Sequence, residues 1–157
     1  MPSIVGTWKL LHATARDAAG TARPSPYDGK ALGRVTFTAD GRMMSVVCDG
    51  RKELPAGLSR EYSSYCGNYT YDGEKLVTRV DAASDPSRIG SDQVRGVRFE
   101  GENMVLIHPP RRIGETEERI KSFCVACRRK SSVGLTRGIG AAGYGIFSWL
   151  AGWRVCR

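Results

Sequence analysis

Asp-Gly pairs set between alternating runs constrain this chain more than any other feature. Arg34 to Ala39 and Arg42 to Cys48 alternate apolar and polar residues on either side of Asp40-Gly41. An Asp-Gly pair between two such runs is the strongest short-range hairpin signal, because a type I′ turn requires positive φ at both central residues. Gly67 to Tyr71 and Leu76 to Asp81 repeat the arrangement around Asp72-Gly73, and Gln93 to Glu100 and Met104 to Ile107 repeat it around Gly101. Successive hairpins make a meander, and a meander of this length removes its exposed edges by closing into a barrel.

The flanking segments complete the outline. Ile4 to Leu11 reads as a first strand, Ile120 to Ala126 as a last one, and Pro109-Pro110 ends the strand before it. Residues 12–33 are polar and rich in Gly, Pro and Ala, which makes them a long connection. Leu54, Leu58, Tyr62 and Tyr65 fall 4, 4 and 3 residues apart, the spacing of one face of a short helix, and Pro55 suits its first turn. The expected class is all-β: a small antiparallel up-and-down β-barrel of about eight strands, with one short helix and an irregular C-terminal tail. The barrel is expected over residues 1–127 and the tail over 128–157.

Composition narrows the partners. The net charge is +8, yet residues 1–123 carry 18 Lys and Arg against all 16 acidic residues, while 124–157 carry six basic residues and no acid. A nearly balanced folded part has no basic face interleaved with aromatics, so a nucleic-acid partner is not expected. Five cysteines are an odd and irregularly spaced set, and the chain enters a strand pattern without an apolar leader, which points to a reducing cytoplasm. His12 and His108, the two histidines, stand at no metal spacing, and no Ser–His–acid set can be singled out. Cys124-x-x-Cys127 lies on an expected strand, where residues three apart face opposite sides and cannot chelate one ion or pair easily. No metal and no cofactor are expected.

Taken in order, Val5-Gly6-Thr7-Trp8, Thr38-Ala39-Asp40-Gly41-Arg42-Met43, Tyr65-Cys66-Gly67-Asn68-Tyr69 and Gly90-Ser91-Asp92-Gln93-Val94-Arg95, running through Phe99-Glu100-Gly101 to Leu106 and Pro109-Pro110, resemble the lipocalin-like domain family of short bacterial and fungal proteins. The likeness spans residues 4 to about 123. It implies a barrel with an interior cavity and not one reaction: some members lie in pathways for secondary metabolites, and related barrels act as carriers or as cofactor-free cyclases and isomerases. By analogy with the Gly-x-Trp strand of lipocalins, Trp8 would plug the closed end beneath an arginine such as Arg128 or Arg129. The chain departs from the family after Phe123, where a Gly-rich, acid-free tail replaces the usual ending.

Period-two alternation sets which side chains share a face. Trp8 goes with Gly6, Leu10 and His12, Val35 with Phe37, Tyr69 with Tyr71, and Gln93 with Arg95, Val97 and Phe99. If these faces point inward, Trp8, Phe37, Tyr69, Tyr71, Gln93 and Arg95 form a ligand-binding lining suited to a flat, oxygenated, mostly apolar molecule. A buried Arg95 would need an anionic or carbonyl ligand, or else Glu61 or Asp81 as a structural partner. The leading expectation is a binder of a small apolar or aromatic metabolite in secondary metabolism. The alternatives are a cofactor-free cyclase or isomerase using Arg95, Tyr69, Tyr71 or His108, and a filled barrel acting as an interaction module. Gly138 to Trp153 is uncharged and too Gly-rich and short for a bilayer span; it reads as a loose extension, a segment altered by a gene-model or reading-frame error, or a membrane-surface anchor using Phe147, Trp149 and Trp153.

Overall fold

The computed structural model describes residues 3–113 and 116–127. Ten strands follow in order: β1 (Gly6–Asp17), β2 (Ala22–Arg23), β3 (Ala31–Phe37), β4 (Arg42–Asp49), β5 (Tyr62–Tyr71), β6 (Lys75–Ala83), β7 (Asp92–Glu100), β8 (Asn103–Ile107), β9 (Arg111–Ile113) and β10 (Thr116–Ala126). Eight of them form a closed antiparallel barrel in which neighbours in the chain are neighbours in space. Closure comes from β1 pairing with β10, Trp8 opposite Ala126 at one end and Asp17 opposite Glu118 at the other. The two short strands, β2 and β9, extend the outer ends of β1 and β10.

The hairpins fall where the Asp-Gly pairs place them, but neither Asp40 nor Asp72 takes the positive φ that a type I′ turn requires. Of Asp40 and Gly41 only Gly41 has positive φ, at 85°. Gly41 N donates to Thr38 O and Thr38 N to Arg42 O, so the loop is a type I turn closed by a left-handed glycine and not the expected type I′ turn.

Three further expectations are corrected. The connection expected over 12–33 is partly strand: β1 runs on to Asp17 and β3 begins at Ala31. The short helix expected over 51–65 is absent; residues 50–61 are irregular, and Tyr62 and Tyr65 stand on β5. On a strand, side chains three apart face opposite ways, and Tyr62 is exposed while Tyr65 turns inward. Helical structure among the described residues is limited to the 3-10 turns Pro26–Gly29 and Pro86–Arg88. His12, expected on the inner face, lies outside: its register with β10 slips at Leu11, and one extra residue reverses inside and outside beyond it. His12 is exposed and stacks on Phe123 with ring centroids 4.4 Å apart, while Ala13 and Ala15 take the inward places.

The tail over 128–157, including Arg128 and Arg129, lies outside the described residues, as do Phe147, Trp149 and Trp153. Among the described residues no helix is long and apolar enough to cross a membrane.

The barrel interior divides into two halves. At one end Trp8, Phe37, Met43, Leu76, Val97 and Met104 pack together, with Ile4 brought in from the N-terminal segment. Trp8 Nε1 donates to Ile4 O at 2.7 Å, which fastens that segment across the barrel end. Phe99 meets Trp8 edge-on at 6.0 Å and Tyr69 meets Phe37 at 5.2 Å, both in the tilted geometry aromatic pairs favour. At the other end the inward positions hold smaller groups, Ala13, Gly33, Ser45, Ser63 and Ser122, and the interior is hollow.

Candidate functional site

The hollow half encloses about 630 Å³, within the range of sites that take small organic molecules. Its apolar walls include Leu10, Val35, Val47, Leu106 and Ile120. Each is the inward member of its strand, so alternation alone directs five methyl-bearing side chains onto one space.

Polar groups enter from β5, β7, β8 and β10. Arg95 comes from β7, His108 from just beyond β8, Tyr65 from β5 and Ser122 from β10. His108 Nε2 lies 3.1 Å from Ser122 Oγ, and its main-chain N–H donates to Ile120 O at 3.0 Å, which holds the residue after β8 in the wall. Burial, with the nearby positive charges of Arg95, Arg111 and Arg88, pushes the imidazole pKa down to about 3. His108 is therefore neutral at physiological pH, able to donate or accept a hydrogen bond but a weak base.

Arg95 reaches only its own strand: its guanidinium donates to Val94 O at 2.6 Å and to Gln93 Oε1 at 3.5 Å. Neither carboxylate offered by the sequence serves as its partner. Asp81 sits outside the barrel in an ion pair with Arg42, and Glu61, although it lines the cavity, makes no ion pair with Arg95. Burial pushes the Arg95 guanidinium below its ordinary value, though an arginine remains a cation.

The mouth is bordered by the segment from Pro24 to Tyr27. Tyr27 and Asp28 have φ of 55° and 54°, two successive non-glycine residues in the left-handed region. Each costs roughly 1–2 kcal/mol, so something must hold the turn. Arg51 does so from the β4 end, bonding Asp28 at 3.2 Å and the buried carboxylate of Asp49 at 2.6 Å. The Arg51 guanidinium keeps the Asp49 carboxyl below the usual carboxylate range.

The remaining residues singled out from the sequence lie elsewhere. Trp8 and Phe37 belong to the packed floor. Tyr69 and Tyr71 stand at the opposite end, their hydroxyls donating to Thr38 O at 2.9 Å and Gly73 O at 2.7 Å, and they border a small surface cleft with Ile4. Gln93 sits beside Arg95. The structure thus brings Arg95 and His108 together and sets the two tyrosines apart from them. Tyr65, Ser122 and Tyr27 were missed, although Tyr65 shares the period-two face of Tyr69 and could have been found by continuing it toward the strand start.

A half-filled, half-hollow eight-stranded meander is the architecture of a small ligand-enclosing barrel. The family model described as a lipocalin-like domain matches residues 5–129. The chain belongs to the lipocalin-like domain family. No curated protein matches it. Within this lipocalin-like barrel, burial raises the Cys124 thiol to about 12, so this cysteine of the cavity wall stays protonated and unreactive. Among the described residues no group of three His, Cys, Asp or Glu side chains is placed to hold a metal ion.

Proposed function

We propose that the barrel binds a small apolar or aromatic metabolite in its hollow half, as a carrier or binding protein of secondary metabolism. One observation carries this reading: an interior space of about 630 Å³, walled by aliphatic side chains and floored by a packed core. Burying apolar surface at roughly 25 cal/mol per Å² supplies the affinity, and the few polar groups orient the guest. The same space counts against a filled barrel that acts through its outer surface alone.

A second reading, a cofactor-free cyclase or isomerase, draws its support from the pairing of Arg95 with His108 in one apolar enclosure. A guanidinium can stabilise a developing oxyanion, and a neutral imidazole can pass a hydrogen bond to it. Tyr69 and Tyr71 would take no part in such a step, since their hydroxyls are at the far end.

Titration with the neutral dye N-phenyl-1-naphthylamine tests the binding reading. Ala13→Phe and, separately, Ser45→Phe place a ring in the hollow. Saturable one-site binding by the native protein, weakened about tenfold or more in a folded filled variant, is expected. Undiminished binding by both filled variants would count against the cavity as the site.

A further inference from the structure

Arg95 carries information about the guest that the apolar walls do not. The cavity wall holds Arg34, Arg88, Arg95 and Arg111 against two acids, Glu61 and Glu118. Arg111 is paired with Glu118 at 2.6 Å and Arg88 with Asp85 at 3.7 Å; no described carboxylate pairs with Arg95 or with Arg34, and Arg34, next to the buried Val35 on β3, donates to Gly33 O at 2.8 Å. A guanidinium offers five N–H donors in a planar fork, and those of Arg95 meet one carbonyl and one distant amide oxygen. Arg95 is partly withdrawn from water, and a cation so placed without a counter-charge is disfavoured, a cost that an anion entering the cavity offsets.

The surroundings suit an oxyanion. The register of β7 and β8 ends with Gly96 opposite Ile107, and the residues next to that pair, Arg95 and His108, both line the cavity. A neutral imidazole there adds no competing charge and can complete the hydrogen bonding of a bound oxygen. Leu106, the inward residue before His108, and Ile120 line the same cavity with apolar surface.

Resting on the binding reading above, we infer that the cavity selects an amphipathic acid: an apolar or aromatic body whose carboxylate, or an equivalent oxyanion, is held by the Arg95 fork beside His108. Bidentate recognition of this kind favours the planar, delocalised anion over its neutral ester.

The test compares 2-naphthoate with methyl 2-naphthoate, each displacing N-phenyl-1-naphthylamine from the native protein, from Arg95→Met and from Arg95→Lys. The acid should bind the native protein about ten- to a hundredfold more tightly than the ester, the equivalent of one hydrogen bond to a charged group. Arg95→Met should abolish that preference while keeping the dye, and Arg95→Lys should keep part of it. Should Arg95→Met not fold, the native acid-to-ester ratio and Arg95→Lys still decide. Equal binding of acid and ester, including no displacement by either while the dye enters, overturns the anion site and leaves the cavity reading standing. A preference that survives in folded Arg95→Met overturns it as well. Failure of the dye itself to bind overturns both.

Discussion

Arg95 on β7 and His108 just after β8 line the same cavity, each next in the chain to the last β7–β8 ladder pair, Gly96 and Ile107, and the cation helps to keep the imidazole uncharged. That relationship links stability to pH. The folded-state pKa is about 3 against 6.5 for a free histidine, so between those values the unfolded chain binds the extra proton and the folded one does not. Stability is therefore full above about pH 6.5 and falls as pH drops toward 3, by about 1.4 kcal/mol per unit. Urea unfolding at pH 7.5 and pH 5 should differ by about 2 kcal/mol from this residue, and His108→Gln should remove most of that difference. An unchanged pH slope in His108→Gln would show the histidine to be hydrated in the folded state.

Thr78 is buried in β6 and its hydroxyl is the one described buried side-chain polar group without a hydrogen-bond partner. An orphaned buried hydroxyl costs about 1–3 kcal/mol, and valine has nearly the same shape. Thr78→Val should raise stability by about 1 kcal/mol, read as a higher denaturant midpoint at constant slope. A loss of stability would show that a water or an unseen partner satisfies the hydroxyl.

The floor rests on Trp8, whose indole fills the barrel end and ties down Ile4. Trp8→Ala should cost about 3–5 kcal/mol, and Trp8→Phe less, since the ring is kept and the bond to Ile4 O is lost. Equilibrium unfolding of the two variants gives the order; equal costs would place the whole effect in the hydrogen bond.

Of the described glycines, Gly67 has the least room for a side chain. A Cβ there would lie 1.9 Å from Arg79 O, where β6 carries an irregularity opposite Cys66 and Gly67. Gly67→Ala must push β5 and β6 apart, and it should lower the melting temperature by well over the 4–8 °C that about 1 kcal/mol brings in a domain of roughly 100 residues. A native-like melt would mean that the bulge relaxes freely.

The legible parts of the fold were those written in local chemistry. Asp40-Gly41 and Asp72-Gly73 located two hairpins, and alternation placed Trp8, Phe37 and Arg95 on inward faces. It failed at His12, because the extra residue at Leu11 leaves no mark in composition, yet reverses every later side chain of β1. The helical spacing of Leu54, Leu58, Tyr62 and Tyr65 was a coincidence of short range, overridden when β5 found β4 and β6 as partners. The site was legible as a list of inward residues and not as a place. Tyr69 and Arg95 both face inward, but strand alternation says nothing of height along the barrel, and the two lie toward opposite ends. The sizes of inward residues hold that information: small at Ala13, Ser45 and Ser63, large at Trp8, Phe37 and Met104.

A guest held in the barrel interior would touch the cavity methyls and leave the outer ones alone. Methyl-resolved NMR of protein labelled at Ile, Leu and Val, titrated with N-phenyl-1-naphthylamine, addresses this directly. Shifts concentrated on Leu10, Val35, Val47, Leu106 and Ile120, with little change at the exposed methyls of Leu32, Val46 and Leu58, are the predicted result. Shifts centred on Leu32, Val46 and Leu58, with the cavity methyls silent, would contradict it.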